Sequence, residues 1–386
     1  MTPLSAFRHV RNGSFVVFFT ANIASAAPGI WNVDAAGSWA AAGSWAAGIP
    51  GATTGISSTD IATFSYPISA DRVVTVDANR NIGGITFSNP TSSKFTLSGG
   101  SLLLSNGGII QTTVDDGDHI DTISSPIVLE GIGGTFTANA ASSYCVLSTG
   151  AVTGTATAGN TATLGLNGSS ASDNAITGTI GNGSAGGLLA VNKSGTGIWL
   201  LSGTNSFGGQ LTVADGFLKV GTVNNASSSG VFGNSTLSVM LGTNITTGTL
   251  EYTGATAASN KRFTLASGSY GGAIQVDTSG SILSLSGVID GGGSLSIIGY
   301  GGVTLSGANT YTGGTNLYNG VLSLGNAGAL GSSGSIYMGG GTLQFTSTNK
   351  VDYSSRLSNA ASQSFIFDTT PRPSPWPVDL AACIAR

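Results

Sequence analysis

The amino-acid sequence predicts an all-β protein built as a β-solenoid, in which short strands stack along one axis. Glycine supplies 61 of the 386 residues, and only 8% of the residues are charged. Long helices depend on Ala, Leu, Glu, Lys and Arg and disfavour Gly, so a helical fold is excluded. Because 40% of the residues are hydrophobic and the net charge is −4, the chain has enough apolar surface to bury a core and does not have the composition of a disordered protein.

The N-terminal segment has the three-part pattern of a secretory signal peptide. Arg8 and Arg11 precede the apolar stretch SFVVFFTANI, and the small residues Ala24-Ser25-Ala26 follow it. The apolar stretch is too short to span a bilayer, which argues against a membrane anchor. We therefore predict that residues 1–26 direct export and are then removed.

An internal repeat organises the body of the chain. The segments Leu201–Gly221 and Leu305–Gly325 align without gaps, and eight of their 21 positions are identical. We take four aligned pairs as the structural repeat positions: Asn205 with Asn309, Gly209 with Gly313, Gly216 with Gly320, and Leu218 with Leu322.

Each repeat unit contains short strands in which apolar and small polar residues alternate between Gly-rich turns. Such strands cannot bury a core alone, but stacked copies can pair their backbones at a spacing of about 4.8 Å. Glycines at repeating positions suit corners that need a positive φ or close packing, and Asn tolerates the same left-handed region. We expect about 22 residues per turn, or roughly 16 turns. The apolar strand positions expected to face inward are Leu218, Val220, Leu322, Leu324, Leu343 and Phe345.

The sequence LSGANTYTGGT, followed by NGVLSLGNAGALGSSGSIYMGGGTLQF, resembles the autotransporter-associated β-strand repeat. This repeat, also called the passenger-associated transport repeat, belongs to bacterial secreted and surface proteins. The resemblance is most specific over Gly299–Phe345 and extends over Leu188–Gly221. It implies a right-handed parallel β-helix that is the exported passenger of a type V secretion system. The implied partners are the outer-membrane secretion machinery during export, and surface glycans or the surfaces of host or neighbouring cells.

We divide the mature chain into three parts. Residues 27–130 are expected to form an N-terminal cap and the first turns, and residues 131–369 the β-helix that carries the repeats. Trp31, Trp39 and Trp45 are expected to close the open end of the solenoid; a glycan-binding platform is the alternative.

The third part is the C-terminal tail. Four prolines lie between residues 371 and 377, and proline cannot continue a central strand. Our hypothesis is that the tail, residues 370–386, comes from a truncated or frame-shifted reading frame.

One acidic segment is a candidate metal site. Asp115, Asp116, Asp118 and Asp121 lie close together around His119. Carboxylate oxygens are the ligands that Ca²⁺ prefers, but the spacing lacks the ligand order of an EF-hand loop. A solvated corner between turns is the favoured interpretation. We keep the four aspartates as weak metal candidates and predict no cofactor.

Catalysis is weakly supported by the sequence. Polysaccharide-acting β-helix enzymes use grouped carboxylates, whereas the acids here are scattered and the only two glutamates are Glu130 and Glu251. A carboxylate pair that meets across turns stays open as an alternative. The sequence contains no cluster of Lys and Arg, so we do not expect a nucleic-acid partner. We predict a non-catalytic, secreted or surface-displayed, adhesin-like structural protein; the alternative is a polysaccharide lyase or hydrolase.

Overall fold

A computed structural model describes residues 28–113, 119–139, 145–268 and 270–369. In these ranges the only helical elements are two 3-10 turns, Ala42–Ser44 and Ser354–Arg356. None of the described helices has the length and apolar character needed to cross a membrane. The predicted signal peptide, the Pro-rich tail and the metal candidates Asp115, Asp116 and Asp118 lie outside the described residues.

The described chain contains 34 strands. The first twelve are β1 (Gly29–Trp31), β2 (Gly37–Ser38), β3 (Trp45–Ala46), β4 (Ile61–Phe64), β5 (Arg72–Val76), β6 (Arg80–Phe87), β7 (Phe95–Gly99), β8 (Leu102–Thr112), β9 (His119–Ile123), β10 (Ile127–Leu129), β11 (Gly133–Ala138) and β12 (Cys145–Thr149). The next twelve are β13 (Val152–Gly154), β14 (Thr161–Gly168), β15 (Asn174–Ile176), β16 (Ile180–Gly181), β17 (Leu188–Lys193), β18 (Ile198–Leu201), β19 (Leu211–Val213), β20 (Gly216–Val220), β21 (Val239–Leu241), β22 (Gly248–Tyr252), β23 (Ala257–Ser259) and β24 (Phe263–Leu265). The last ten are β25 (Gly272–Val276), β26 (Ile282–Leu285), β27 (Ile289–Gly291), β28 (Leu295–Gly299), β29 (Gly302–Leu305), β30 (Thr315–Leu317), β31 (Val321–Leu324), β32 (Ile336–Met338), β33 (Thr342–Phe345) and β34 (Ile366–Asp368).

The strands form three sheets that run along the molecule. The first sheet has 15 strands in the order β27-β24-β21-β19-β17-β14-β11-β8-β6-β4-β1-β3, with β10, β13 and β16 branching from β8. The second has 13 strands in the order β2-β5-β7-β9-β12-β15-β18-β20-β22-β25-β28-β30-β32. The third has six strands in the order β23-β26-β29-β31-β33-β34. Every strand pair in these sheets is parallel except β1 with β3. The predicted parallel β-helix is therefore confirmed.

The turns of the helix, here called rungs, vary in length more than the sequence predicts. In the second sheet Ile198 pairs with Phe217, whereas Gly216 pairs with Gly248, which lies much further along the chain. The 13 strands of this sheet stack to about 58 Å at the usual strand spacing. Rungs are therefore both shorter and longer than the expected length of about 22 residues, because corners accept extra loop residues at little entropic cost.

Inward-facing side chains form one continuous apolar core. Strand β20 shows the pattern, because Leu218 and Val220 are fully buried and alternate with half-buried Phe217 and Lys219. All six side chains predicted to face inward are at most 1% exposed. The alternation follows from the period of two along a strand, which sends successive side chains to opposite faces of the sheet.

The three N-terminal tryptophans pack against each other and against Phe64 at the first rungs. The Trp31 and Trp45 rings meet edge to face at 5.2 Å, and the Trp39 ring lies 5.0 Å from that of Trp45. Each indole N–H donates to a backbone carbonyl. With exposures of at most 4%, these rings have no face free for a glycan.

Replacement of Leu322 by Asp is expected to destabilise the β-helix by about 3–5 kcal/mol, because it buries an unpaired carboxylate. Leu322 is fully buried and pairs with Val303 and Leu343 of the adjacent rungs. Thr304→Asp, on the outer face of the same sheet, is the matched control. The measurement is the urea unfolding midpoint together with resistance to limited proteolysis. Equal resistance of both variants would contradict the rung assignment.

Candidate functional site

The repeat asparagines connect three consecutive rungs through their buried side chains. Asn205 Oδ1 accepts from the backbone N–H of Ile180 at 2.9 Å, and its Nδ2 donates to the carbonyl of Val231 at 3.3 Å. Asn309 makes the equivalent pair of hydrogen bonds, to Ile289 N at 2.8 Å and Ala329 O at 2.7 Å. The two copies of the repeat therefore share one bridging geometry.

The physical role of these asparagines differs from the one suggested by the sequence. Neither Asn205 nor Asn309 is among the non-glycine residues with positive φ, so left-handed backbone does not explain them. Their amides instead satisfy backbone groups at corners where the sheet hydrogen bonds stop. Asn174, which the repeat alignment does not cover, acts in the same way, accepting from Leu147 N at 3.0 Å and donating to Ile198 O at 2.9 Å.

The repeat glycines fall into two groups. Gly216 and Gly320 have φ values of 61° and 69°, which strain any residue with a Cβ. Gly209 and Gly313 lack a positive φ, but a Cβ would lie 2.6 Å from the Leu189 carbonyl oxygen in the first case and 2.3 Å from a backbone atom in the second. Both groups thus allow successive rungs to approach closely.

Buried lysines stabilise corners in a similar way. The Lys193 side chain points into the core, and its Nζ donates to the carbonyl oxygens of Ser194 at 3.0 Å, Gly195 at 2.7 Å and Asp215 at 2.9 Å. Burial lowers the pKa of Lys193 to about 8. Lys261 is also buried and donates to the Ser235 carbonyl. Both lysines donate hydrogen bonds to backbone carbonyls.

The outer face of the second sheet contains a charged cluster that crosses adjacent rungs. Lys219 pairs directly with Glu251 on the next strand, and its Nζ lies 3.4 Å from Glu251 Oε1 and 2.9 Å from Asp173 Oδ2. Gln275 lies on the strand beyond and donates to Asp277 Oδ1 at 2.7 Å. Glu251 and Asp277 are thus a carboxylate pair that meets across adjacent rungs, a possibility that the sequence left open without naming residues.

The environment of Glu251 favours its neutral form. Burial, with a smaller contribution from the hydrogen-bonded carboxyl of Asp277, raises the pKa of Glu251 to about 7, although the Lys219 ammonium opposes the shift. The Glu251 side chain is only 8% exposed. The Glu251 carboxyl is thus tightly packed within the cluster.

An aromatic pair lies on the outer surface further along the same sheet. The rings of Tyr318 and Tyr337 are 5.7 Å apart and tilted by 57°, and Tyr318 is 41% exposed. Gly339 leaves space for both rings, since a Cβ there would come within 3.0 Å of each of them. This pair, not the N-terminal tryptophans, presents aromatic surface to solvent.

Of the four aspartates in the candidate metal site, only Asp121 lies within the described residues. This residue is buried, and its Oδ2 accepts from the Thr112 hydroxyl at 2.9 Å. Across the described ranges, no group of three or more His, Cys, Asp or Glu residues is arranged to hold a metal ion. The site formed with Asp115, Asp116 and Asp118, which lie outside these ranges, stays a prediction.

Comparison with known proteins agrees with the repeat geometry. Residues 191–220 and 298–324 match the passenger-associated-transport-repeat family model, and these two stretches contain all eight repeat positions. Over 218 residues the chain is 30% identical to the adhesin BmaC autotransporter of Brucella suis biovar 1 (strain 1330). The chain resembles an autotransporter passenger. The family resemblance predicted from the sequence is therefore confirmed.

The match to the Brucella adhesin covers only part of each chain, so it does not carry the activity of that whole protein over to this chain. The alignment covers 56% of this chain and 5% of the length of the Brucella adhesin. No solved structure matches the chain. The passenger resemblance supports secretion to the bacterial cell surface.

Replacement of Asn309 by Ala is expected to destabilise the passenger repeat by about 1–3 kcal/mol, because it leaves the Ile289 N–H and the Ala329 carbonyl buried without a partner. Asn316→Ala is the matched control, since its amide lies on the outer face and donates only to Ser296 Oγ. The measurement is the thermal unfolding midpoint. Equal midpoints for the two variants would contradict a bridging role for Asn309.

Stability is expected to decrease between about pH 4.5 and 7 because the folded-state pKa of Glu251, about 7, lies above its ordinary value of 4.5. The folded protein holds this proton more tightly, so the stabilisation is complete below pH 4.5 and is lost as the pH rises through 7. Glu251→Gln keeps the neutral form and should show a smaller decrease.

The measurement for Glu251 is the urea unfolding midpoint at pH 4, 5.5 and 7.5. Asp173→Asn removes the other carboxylate bound to Lys219 and controls for loss of a salt bridge. An unchanged pH dependence in Glu251→Gln would show that this carboxyl does not titrate as described.

Proposed function

We propose that this protein is a non-catalytic, surface-displayed, adhesin-like passenger, with the β-helix as its stalk and the repeats assisting export and folding. The observation that carries the proposal is the equivalent bridging by Asn205 and Asn309, each of which binds the rung before it and the rung after it. Both residues lie within the segments that match the passenger-associated transport repeat.

This geometry suits a chain that folds as it leaves the membrane. Each strand pairs with strands one rung away, so a new rung needs only the rung already formed as its template. A repeat asparagine adds side-chain hydrogen bonds to the same step. Folding outside the cell would therefore proceed one rung at a time and would oppose return of the chain.

We propose that the outer faces of the sheets and the loops make the adhesive contacts. Most core positions are filled by apolar side chains, whereas the outer surface carries the Tyr318–Tyr337 pair, polar side chains and the charged cluster around Lys219. The relative of 30% identity is named as an adhesin, which supports this role. We propose surface glycans or the surfaces of host or neighbouring cells as partners, and the outer-membrane secretion machinery as the partner during export.

A polysaccharide-acting enzyme is the second candidate, favoured by the Glu251–Asp277 pair. Glycosidases separate their two carboxyl groups by roughly 5–9.5 Å to admit the sugar and, in inverting enzymes, a water molecule. Glu251 and Asp277 instead lie close enough for the Asp277 carboxyl to help raise the pKa of Glu251, and Glu251 is bound by Lys219. This packing favours a structural role for the pair.

Display is tested by expressing the full-length gene in a bacterium that has an outer membrane. The double variant Asn205→Ala/Asn309→Ala is expected to reduce protease-accessible protein at the cell surface several-fold, because two bridging contacts are lost in the folding chain. Asn316→Ala is the control. An undiminished surface signal in the double variant would contradict repeat-assisted export, and absence of the parent chain from the surface would contradict display itself.

Turnover is tested on the purified chain with neutral and acidic polysaccharides. We expect no release of reducing ends or unsaturated sugars, and no difference between the parent and Glu251→Gln. Product release that Glu251→Gln abolishes would replace the adhesin proposal with the enzyme.

A further inference from the structure

A hollow lies on the outer face of the first sheet, across β11, β14 and β17. It is a cavity of about 290 Å³, and Thr135, Thr163, Gly165 and Asn192 are among the residues that line it. Its volume is just below the range of about 300–1,000 Å³ for small-ligand sites. It lies on a different sheet from the charged cluster and the tyrosine pair.

The hollow exists because glycine interrupts two outward columns of side chains. Thr135, Gly165 and Asn192 are paired in register on the three successive strands, so the middle strand contributes no side chain to this column. In the neighbouring column Gly133 pairs with Thr163. The sheet backbone itself therefore forms the floor, and threonine and asparagine side chains form the walls.

The lining is polar and uncharged. None of the described residues that line the hollow has an ionisable side chain. Threonine hydroxyls can donate and accept, and the asparagine amide offers both kinds of group. Ile132, at the edge, is 69% exposed and adds an apolar surface.

One buried side-chain atom in this lining has no hydrogen-bond partner within the described protein. The Oδ1 atom of Asn192 is buried and has no partner, whereas buried polar atoms are almost always paired. Asn167, which also lines the hollow, already accepts from the Gly168 N–H at 2.8 Å. Because Asn192 lines the hollow, a ligand that donates a hydrogen bond there would satisfy this unpaired acceptor.

We propose that this hollow binds a short stretch of a neutral glycan chain. A sugar hydroxyl donates to Asn192 Oδ1, the hydroxyls of Thr135 and Thr163 bind neighbouring sugar hydroxyls, and Ile132 packs against the C–H surface of the ring. The proposal rests on the adhesin-like function and names its ligand class and one contact site. The uncharged lining provides no cation to compensate an acidic glycan and no anion to attract a basic peptide.

Binding is tested on the purified full chain with three probes: a soluble β-1,4-glucan oligosaccharide, a soluble α-glucan and polygalacturonate. We expect at least one neutral probe to bind and polygalacturonate not to bind. Asn192→Ala is expected to lower the affinity for the neutral probe about tenfold, because one well-formed hydrogen bond is lost.

Two further variants separate a binding effect from a folding effect. Because Asn192 Oδ1 makes no hydrogen bond within the described protein, Asn192→Ala should leave the unfolding temperature unchanged. Gly165→Ser adds a side chain to the floor of the hollow and is expected to reduce binding as well. Asn316→Ala, on the second sheet, is the matched control and should bind as the parent does.

The outcomes distinguish this proposal from the proposed function. Binding of neutral probes that Asn192→Ala and Gly165→Ser weaken supports the hollow as the site. Binding unaffected by both variants, binding of polygalacturonate alone, or no binding of any probe overturns the site assignment. If the parent chain still attaches to cells in these cases, the adhesin-like function stands without this site; if it neither reaches the surface nor attaches, that function fails instead.

Discussion

Parallel backbone pairing between successive rungs is the constraint on which the whole structure depends. Each strand satisfies its N–H and C=O groups only through the strands one rung away, so an incomplete rung leaves polar groups open. At the N-terminal end, β3 pairs antiparallel with β1, and the indoles of Trp31, Trp39 and Trp45 bury their rings beside it. The first described rungs therefore combine a reversal of strand direction with large buried apolar side chains.

Corners present the opposite problem, because the chain leaves the sheet there and its backbone groups lose their regular partners. The side-chain amides of Asn174, Asn205 and Asn309 provide hydrogen-bond partners for these backbone groups. The Lys193 ammonium is the partner of three backbone carbonyls. An interior amide can accept from one rung and donate to another, which a hydroxyl does less well over this distance. These three asparagines and Lys193 thus lie inside the β-helix with their hydrogen bonds made to backbone groups.

The strand repeat and the inward positions could be predicted because they depend on local alternation and on glycine. Leu218 and Leu322 follow from a period of two along the chain. The contact between Lys219 and Glu251 could not be predicted, because the chain from β20 to β22 is longer than the chain from β18 to β20 or from β22 to β25. Variable loop length hides such contacts from the sequence. The hollow around Gly165 depends in the same way on the register of three strands.

Separation of core and surface explains how one scaffold can carry different binding surfaces. Inward positions are fixed by packing, since a buried charge or a cavity there costs several kcal/mol. Outward side chains contact only the outward side chains at the same position of the rungs above and below, and adjacent strands are about 4.8 Å apart. A glycine such as Gly165 then creates a hollow without disturbing the core, and a tyrosine such as Tyr318 creates a projecting surface. Outward side chains can therefore change residue by residue while the backbone pairing that holds the rungs together is kept.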